Sequence, residues 1–415
     1  MERRSVLTRF ARWALVAAAV GAHAVQPAHA QDQQDKARWT ATWTACPQAL
    51  FGPDFGIESG IPDSLADQTV REVVHVSLGS RALRIVLSNT YGKSPLIVGE
   101  ARVARTDRGA AIVAGSDRSV LFGREARVVI PPGASVTSDP VELDVAALSD
   151  LTVSIYIPES TVLDTFHWSG GQTSYIASGN VTSATTLEPS ATFTPRLFVT
   201  SVLSNTKART VAAFGDSITD GSAVTLDSNQ RWPDVLAERL APYRVGAINA
   251  GISGNQLLQD GMGINAIARF ERDVLSQPGV EAAIVLIGIN DIGGVASAEP
   301  ATAAALIAGY RQLISQAHTR GVRIFGATIT PFEHAYEETG YYTPEKEQIR
   351  ASVNAWIRDS GEFAGVIDFD RALQDPEYPT RMNAAFDSGD HLHPNDAGNR
   401  AMAEAIDLSE LLRRR

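Results

Sequence analysis

Cysteine is almost absent from this chain of 415 residues: Cys46 is the only one. No intramolecular disulfide can form, and one thiol cannot build a thiolate zinc cluster. Stability must therefore come from apolar burial. Beyond the first thirty residues there is no apolar run long enough for a transmembrane helix. Positive charge is also scarce. Taking Arg3, Arg4, Arg9, Arg12 and Glu2 of the first thirty residues from the chain's 36 basic and 47 acidic side chains leaves 32 against 46, a formal charge of −14. Such a surface repels phosphate backbones and anionic lipid, which argues against nucleic acid or a membrane as partner. No internal repeat and no low-complexity segment is present.

The first thirty residues have a different character. The four arginines make a basic start, an apolar run follows from Trp13 to Val25, and Ala28-His29-Ala30 forms a small-residue cleavage site before Gln31. That order predicts an export signal over residues 1–30, and hence a secreted or periplasmic protein. Arg3-Arg4-Ser5-Val6-Leu7 also resembles a twin-arginine export motif. The remaining 385 residues suffice for two domains, each with its own core.

Two textures divide that remainder. Residues 31–205 are rich in Val, Ile, Thr and Ser. Val73–Ser77, Leu83–Ser88, Arg127–Ile130 and Leu151–Ile157 read as strands, separated by turn residues such as Asn89-Thr90-Tyr91-Gly92 and Pro131-Pro132-Gly133. A β-sandwich of jelly-roll-like form is expected there. Residues 206–415 alternate strand and helix after a linker at Ser204–Ala208. Strands are predicted at Thr210–Phe214, Tyr243–Asn249, Ala282–Ile287, Val322–Ile329 and Gly365–Phe369. Helices are predicted at Arg231–Leu240, Ala301–Thr319, Pro344–Ile357 and Pro394–Leu412. Short apolar strands each followed by a helix indicate a parallel sheet covered on both faces.

Ligands of an open parallel sheet sit outside the carboxyl ends of its strands. Four loops that follow strands carry reactive side chains: Gly215-Asp216-Ser217-Ile218, Gly251-Ile252-Ser253-Gly254-Asn255, Gly288-Ile289-Asn290-Asp291 and Asp390-His391-Leu392-His393-Pro394. A serine hydroxyl needs a neighbouring base to become a nucleophile. His393 can supply it, and Asp390, three residues earlier, can fix its tautomer. The oxyanion formed by attack on an ester needs donors in place. The Ser217 N–H at a helix start, the Gly254 N–H and the Asn290 side-chain amide qualify.

These residues resemble the GDSL/SGNH hydrolases, whose four blocks contribute Ser, Gly, Asn and His in that chain order. The matching positions are Ser217, Gly254, Asn290 and His393, with Asp390 completing Asp-x-x-His. The resemblance spans Arg209 to the C-terminus and departs at Ile218, where the family name implies Leu. It implies a flavodoxin-like three-layer α/β/α fold and ester hydrolysis without cofactor. The preceding half, with Trp39, Trp43 and Ser88-Asn89-Thr90-Tyr91-Gly92, is similar to that of secreted xylanase-associated acylhydrolases. That similarity implies a small-molecule or polysaccharide ester as substrate, an O-acetyl carbohydrate first. It leaves acyl length, alcohol and oligomeric state open.

Each feature alone has a plainer reading. Gly-Asp-Ser is usually just a turn, and Asp-x-x-His before Pro can be a helix cap. Their occurrence in order after successive strands makes the set specific. His391 and His393 with Asp390 could instead hold a metal, but alternate residues of an extended segment face opposite sides, so no metal is expected. Asp216, Asp220 and Asp291 are read as structural loop residues. His318 and His334 are rival bases, the former on a helix surface. His167-Trp168-Ser169-Gly170-Gly171 reads as a buried core tryptophan ahead of a sugar-stacking surface. The competing functions are a lipase or arylesterase on longer or aryl esters, a transacylase, and a non-catalytic carbohydrate-binding protein on a degenerate scaffold.

Overall fold

A computed structural model describes residues 39–52, 55–294 and 301–413. The expected export signal at 1–30 lies outside them. The N-terminal half of the described residues is strand-rich, and its strands pair antiparallel into two larger sheets. One has the order Thr40–Thr44, Val199–Ser204, Ser80–Ser88, Ser135–Thr137, with Val141–Val145 also on Ser80–Ser88. The other runs Ala191–Phe193, Ser174–Ser178, Gln68–Val76, Ser149–Ile157, Glu100–Arg108, Ala111–Ile112. Its central pair is in continuous register from Ser149↔Val76 to Ile157↔Gln68. One apolar cluster draws on both sheets, with Leu83, Ile85 and Leu87 from the first and Val70, Val74, Val153 and Ile155 from the second. The four strands expected from sequence are all present, most of them longer than expected because Thr, Ser, Arg and Glu residues extend the apolar runs.

The C-terminal half is built on five parallel strands: β1 (Arg209–Gly215), β2 (Val245–Gly251), β3 (Val280–Leu286), β4 (Arg323–Ala327) and β5 (Gly365–Ile367). Their spatial order is β2-β1-β3-β4-β5. Almost every residue of β1 and β2 is buried, as a parallel strand covered on both faces requires. The order reverses direction at β1, so the carboxyl ends of β1 and β3 flank the crevice where such sheets bind ligands.

The helices start where the sequence supplies caps. Thr302 accepts from the Ala305 N–H to open Ala303–Thr319, and Thr343 from the Lys346 N–H to open Pro344–Asp359. Two expectations need correction. Tyr243 lies in a 3₁₀ turn, Ala241–Tyr243, closed by Arg244 at φ 55°, so β2 begins only at Val245. The last helix is two helices, Asp396–Glu404 and Leu408–Leu412. Asp407 breaks it, because its carboxylate accepts from the Ser409 N–H at 2.8 Å and caps a new start.

The two halves share more than a linker. The Ala41 N–H donates to the Pro278 carbonyl at 2.8 Å, Thr44 Oγ1 to the Asn249 carbonyl at 2.6 Å, and Gln48 Nε2 to the Met262 carbonyl at 2.7 Å. Trp39, Ala41, Cys46, Ala82 and Leu203 belong to the apolar cluster of the parallel sheet. The Ser204–Ala208 segment is itself tied down, since Thr40 Oγ1 donates to the carbonyls of Thr206 and Ala208.

Candidate active site

β1 ends at Gly215, and the Asp216 carboxylate caps the one-turn helix Ser217–Asp220 by accepting from the Ile218 N–H at 3.1 Å. Ser217 is the first residue of that turn, so its own N–H has no helical acceptor. Gly251, at the end of β2, allows that strand end to meet the Ser217–Asp220 turn at backbone contact. A Cβ there would lie 2.3 Å from the Asp220 nitrogen. Side chains from three loops consequently converge within one crevice.

Ser217 Oγ lies 2.8 Å from His393 Nε2, and His393 Nδ1 lies 2.5 Å from Asp390 Oδ2. The other Asp390 oxygen accepts from the Leu392 and His393 N–H groups at 2.9 and 2.8 Å and from Ser388 Oγ at 3.0 Å. Partial burial pushes the Asp390 carboxyl up, but the His393 ring and the two N–H groups outweigh it and hold the group well below the usual carboxylate range. Asp390 is therefore an ionised acceptor, and His393 Nδ1 is its donor. That leaves Nε2 as the basic nitrogen, facing the Ser217 hydroxyl.

Gly254 sits at φ 69°, and a Cβ there would come within 2.2 Å of Met262 Sδ. Only glycine fits. Asn290, in the turn Ile289–Gly293 after β3, is held at both ends of its amide: Tyr341 OH donates to its Oδ1 at 3.0 Å, and its Nδ2 donates to the Asn255 carbonyl at 3.0 Å. One N–H of that amide is left over. Of the five residues singled out from sequence, Ser217, His393 and Asp390 stand in one hydrogen-bonded line, and Asn290 is bound to the loop of Gly254 through the Asn255 carbonyl.

The rivals are placed elsewhere. His318 is exposed on its helix, and His334 lies against Glu337 at 2.6 Å. His391 Nδ1 meets Asp387 Oδ2 at 2.6 Å in a separate exposed pair. The premise of an extended His391–His393 segment does not hold, because His391 has φ 62° in a tight turn; it is Asp387 that draws its ring away. Among the described residues no group of three His, Cys, Asp or Glu side chains is arranged to hold a metal ion.

Residues 213–401 match the GDSL-like lipase/acylhydrolase family. Over that span the chain carries a GDSL/SGNH hydrolase domain. It is accordingly a carboxylic ester hydrolase. No curated protein matches it. Similar solved structures include a carbohydrate acetylesterase from Sinorhizobium meliloti, at 20% identity over 49% of this chain and 100% of that one, TM-score 0.40. An aryl esterase from M. smegmatis is 18% identical over 49% of this chain and 98% of that one, TM-score 0.40. An acetyl xylan esterase is 22% identical over 47% of this chain and 96% of that one, TM-score 0.35.

The hydrolase holds its crevice together with residues that the motifs do not reveal. Arg269 is fully buried and ties two strand ends and a loop together. Its guanidinium donates to the Gly215 carbonyl, the Ala250 carbonyl and Asn255 Oδ1, each at 2.8 Å, and pairs with Asp273 at 3.2 Å. The segment that bears it, Ala266–Phe270 running into Glu271–Leu275, buries Ala266, Phe270 and Val274 at helical spacing behind an Asn265 cap, a signal for a helix that the expectations from sequence did not include. Asp291 accepts from the Leu257 and Leu258 N–H groups at 2.7 and 3.0 Å, joining the Asn290 turn to the loop beyond Gly254. A cleft of about 180 Å³ lies on the far side of Met262, walled by Phe51, Phe55 and Tyr91 from the N-terminal half. Trp168 is half-buried rather than a core residue, and its ring meets Phe51 edge-on at 6.0 Å.

Burial lifts the Asp216 carboxyl to about 7, against the Ile218 N–H and the His393 ring, and lifts Asp291 to about 6 despite its two N–H donors. A carboxyl whose folded pKa exceeds its unfolded value binds more protons when folded. Both groups therefore cost stability as pH rises from 3.8 toward 7. Asp216→Asn keeps the capping oxygen and removes the charge. Its thermal unfolding midpoint should exceed the wild type at pH 8, by the equivalent of about 1–3 kcal/mol, with the advantage shrinking toward pH 5. The same gain at both pH values would show that charge is not its source.

Proposed function

We propose that this hydrolase cleaves short-chain carboxylic esters through an acyl-enzyme on Ser217, with O-acetyl groups on carbohydrate as its substrates. The observation that carries the reading is the unbroken line from Asp390 through His393 to Ser217 Oγ. In it, His393 Nε2 takes the Ser217 proton as Oγ attacks the ester carbonyl. The oxyanion is met by the Ser217 N–H, the Gly254 N–H and the remaining N–H of Asn290. His393 then returns the proton to the leaving alcohol. A water that gives its proton to His393 attacks the acyl carbon, the Ser217 ester breaks, and the carboxylic acid departs.

The carbohydrate part of the reading rests on different features. The acidic chain suits a neutral polymer better than an anionic interface. The aromatic cleft beyond Met262 offers faces on which a sugar ring can stack, and the N-terminal half supplies them. We read residues 31–205 as an accessory β-sandwich and residues 206–415 as a flavodoxin-like three-layer catalytic domain. Support comes from one apolar cluster shared by two antiparallel sheets and from the strand order β2-β1-β3-β4-β5. Residues 1–30 are proposed as an export signal, so the secreted protein should begin at Gln31 on N-terminal sequencing.

A fluorophosphonate should add one label per chain, at Ser217, as read by peptide mass spectrometry; a label at another serine would end the assignment. On p-nitrophenyl esters, C2 should be turned over faster than C8, and acetate should be released from acetylated xylan. Preference for C8 with no acetate from any polysaccharide would replace this reading with a lipase. Asn290→Ala should lower kcat by about 10²–10³ with little change in KM. A change confined to KM would make Asn290 a binding residue only.

A further inference from the structure

His167 belongs to the N-terminal half, yet its ring reaches the helix that begins with Ser217. It is held at the backbone by a pair of hydrogen bonds with Arg196, each 2.8 Å, and its ring is buried. Nδ1 lies 2.9 Å from the Cys46 carbonyl oxygen. Nε2 lies 3.0 Å from Asp220 Oδ1 and 3.2 Å from the Ser169 carbonyl oxygen. Carbonyl oxygens accept and never donate, and so does an ionised carboxylate. A neutral imidazole would set one bare lone pair against such an oxygen inside the protein, where an unmade hydrogen bond is expensive. The ring must donate from both nitrogens, as an imidazolium.

The partner of that imidazolium has a second hand. Asp220 Oδ2 accepts from the Ser253 N–H and from Ser253 Oγ, both at 2.8 Å. Ser253 immediately precedes Gly254. Asp220 is also the last residue of the turn that Ser217 opens. One buried carboxylate thus binds the nucleophile's turn, the loop of the oxyanion donor and a cation from the other half of the chain. Burial pushes Asp220 up, but His167 and Ser253 together hold it below the ordinary carboxylate value. The other ionisable groups around the pair are Cys46, Glu72, Arg196 and Arg231. Burial pushes the Cys46 thiol up, and it pushes the Glu72 carboxyl up against the Arg196 charge, the Leu197 and Val199 N–H groups and His167.

We infer that His167 is a positioning residue for ester hydrolysis: as a buried imidazolium it fixes Asp220, which fixes Ser253 and with it the Gly254 N–H that meets the oxyanion. The inference rests on the functional reading above. It assigns the N-terminal half a part in the chemical step, separate from any part in polymer binding. Without the cation, Asp220 loses its counter-charge and the Ser253-Gly254 loop loses its anchor. A misplacement of 1 Å in such a donor is worth about 10²-fold in rate.

The test uses the mature full-length enzyme and p-nitrophenyl acetate, a substrate too small to need the accessory half for binding. His167→Gln and Asp220→Asn should each lower kcat roughly 10- to 100-fold with KM nearly unchanged. The double variant should be no worse than the poorer single, because both act through one contact. In the wild type, ¹⁵N-histidine NMR should find both His167 ring nitrogens protonated at pH 7. Ser217→Ala is measured in parallel. If it stays active, the functional reading falls and this inference with it. If Ser217→Ala is dead but folded His167→Gln retains wild-type kcat, or His167 carries one bare nitrogen at pH 7, the inference alone is overturned. Additive losses in the double variant overturn it as well. Should His167→Gln fail to fold, Asp220→Asn and the wild-type spectrum decide.

Discussion

Replacing Ser217 with Ala is expected to abolish ester hydrolysis, with a loss in kcat of about 10⁶, and to leave the fold intact. The two halves of that statement come from different observations. Among the described residues Oγ is the only hydroxyl in hydrogen-bond contact with His393 Nε2, so none of them offers a second nucleophile at the base. The turn that carries it is capped by Asp216 rather than by Ser217, and alanine is the best helix former, so local structure does not depend on the hydroxyl. The His393–Asp390 pair also survives the change. Residual turnover would come from oxyanion stabilisation acting on a water in place of Oγ. Circular dichroism and thermal unfolding should match the wild type within about 0.5 kcal/mol, while p-nitrophenyl acetate turnover falls to background. Appreciable activity in the folded variant would remove Ser217 from the mechanism.

The site was legible in the sequence because its chemistry is written where the backbone geometry is most regular. Each parallel strand is a short apolar run, each ends at the same edge, and the residue just beyond is presented to the crevice. Ser217, Gly254 and Asn290 obey that rule, each a few residues past its strand, whereas the Asp390–His393 pair comes in from a long loop beyond the helix that follows β5. What could not be read is what crosses between distant segments. His167 and Asp220 are 53 residues apart along the chain. In sequence the one appeared as the neighbour of a tryptophan and the other as a loop carboxylate. Arg269 is hidden for a related reason. A buried arginine has no periodic signature, and its meaning lies in three carbonyl and amide oxygens drawn from two strand ends and a loop. The split of the final helix at Asp407 shows a third limit, since a helix-period pattern can continue across a residue whose side chain restarts the backbone.

Those cross-links also bear on what the N-terminal half is for. Gln48 joins the Trp168 N–H, at 2.9 Å, to the Met262 carbonyl, at 2.7 Å, and Met262 in turn closes over Gly254. Arg272 donates to Tyr91 OH at 3.0 Å and to the Pro47 carbonyl at 3.2 Å, while pairing with Asp273, the partner of Arg269. Both routes run from the strand-rich half to the loops of the crevice through buried or half-buried groups. A contact of this kind fixes geometry more than it adds stability, because each polar group exchanges water for one defined partner. The halves are therefore expected to act as one body at the site.

Asp390→Asn is expected to lower kcat by about 10⁴ without disturbing the structure, and the reason is a matter of which oxygen is replaced. Oδ1 of Asp390 accepts from the Leu392 and His393 N–H groups and from Ser388 Oγ, so an asparagine must keep its oxygen on that side. Turning the amide would set its NH₂ against two backbone donors. The amide nitrogen is then forced to the Oδ2 position, 2.5 Å from His393 Nδ1 in the wild type, where it donates. His393 must answer with a bare Nδ1, and its proton moves to Nε2. The nitrogen facing Ser217 Oγ becomes a donor and can no longer take the hydroxyl proton. The carboxylate that held an imidazolium during the reaction is lost in the same change. KM should barely move, since neither group binds the ester in its ground state. ¹⁵N-histidine spectra of the variant should show the proton of His393 on Nε2, against Nδ1 in the wild type. Loss of activity with the Nδ1 tautomer retained would mean that Asp390 acts by charge alone, and full activity would leave His393 without need of a partner.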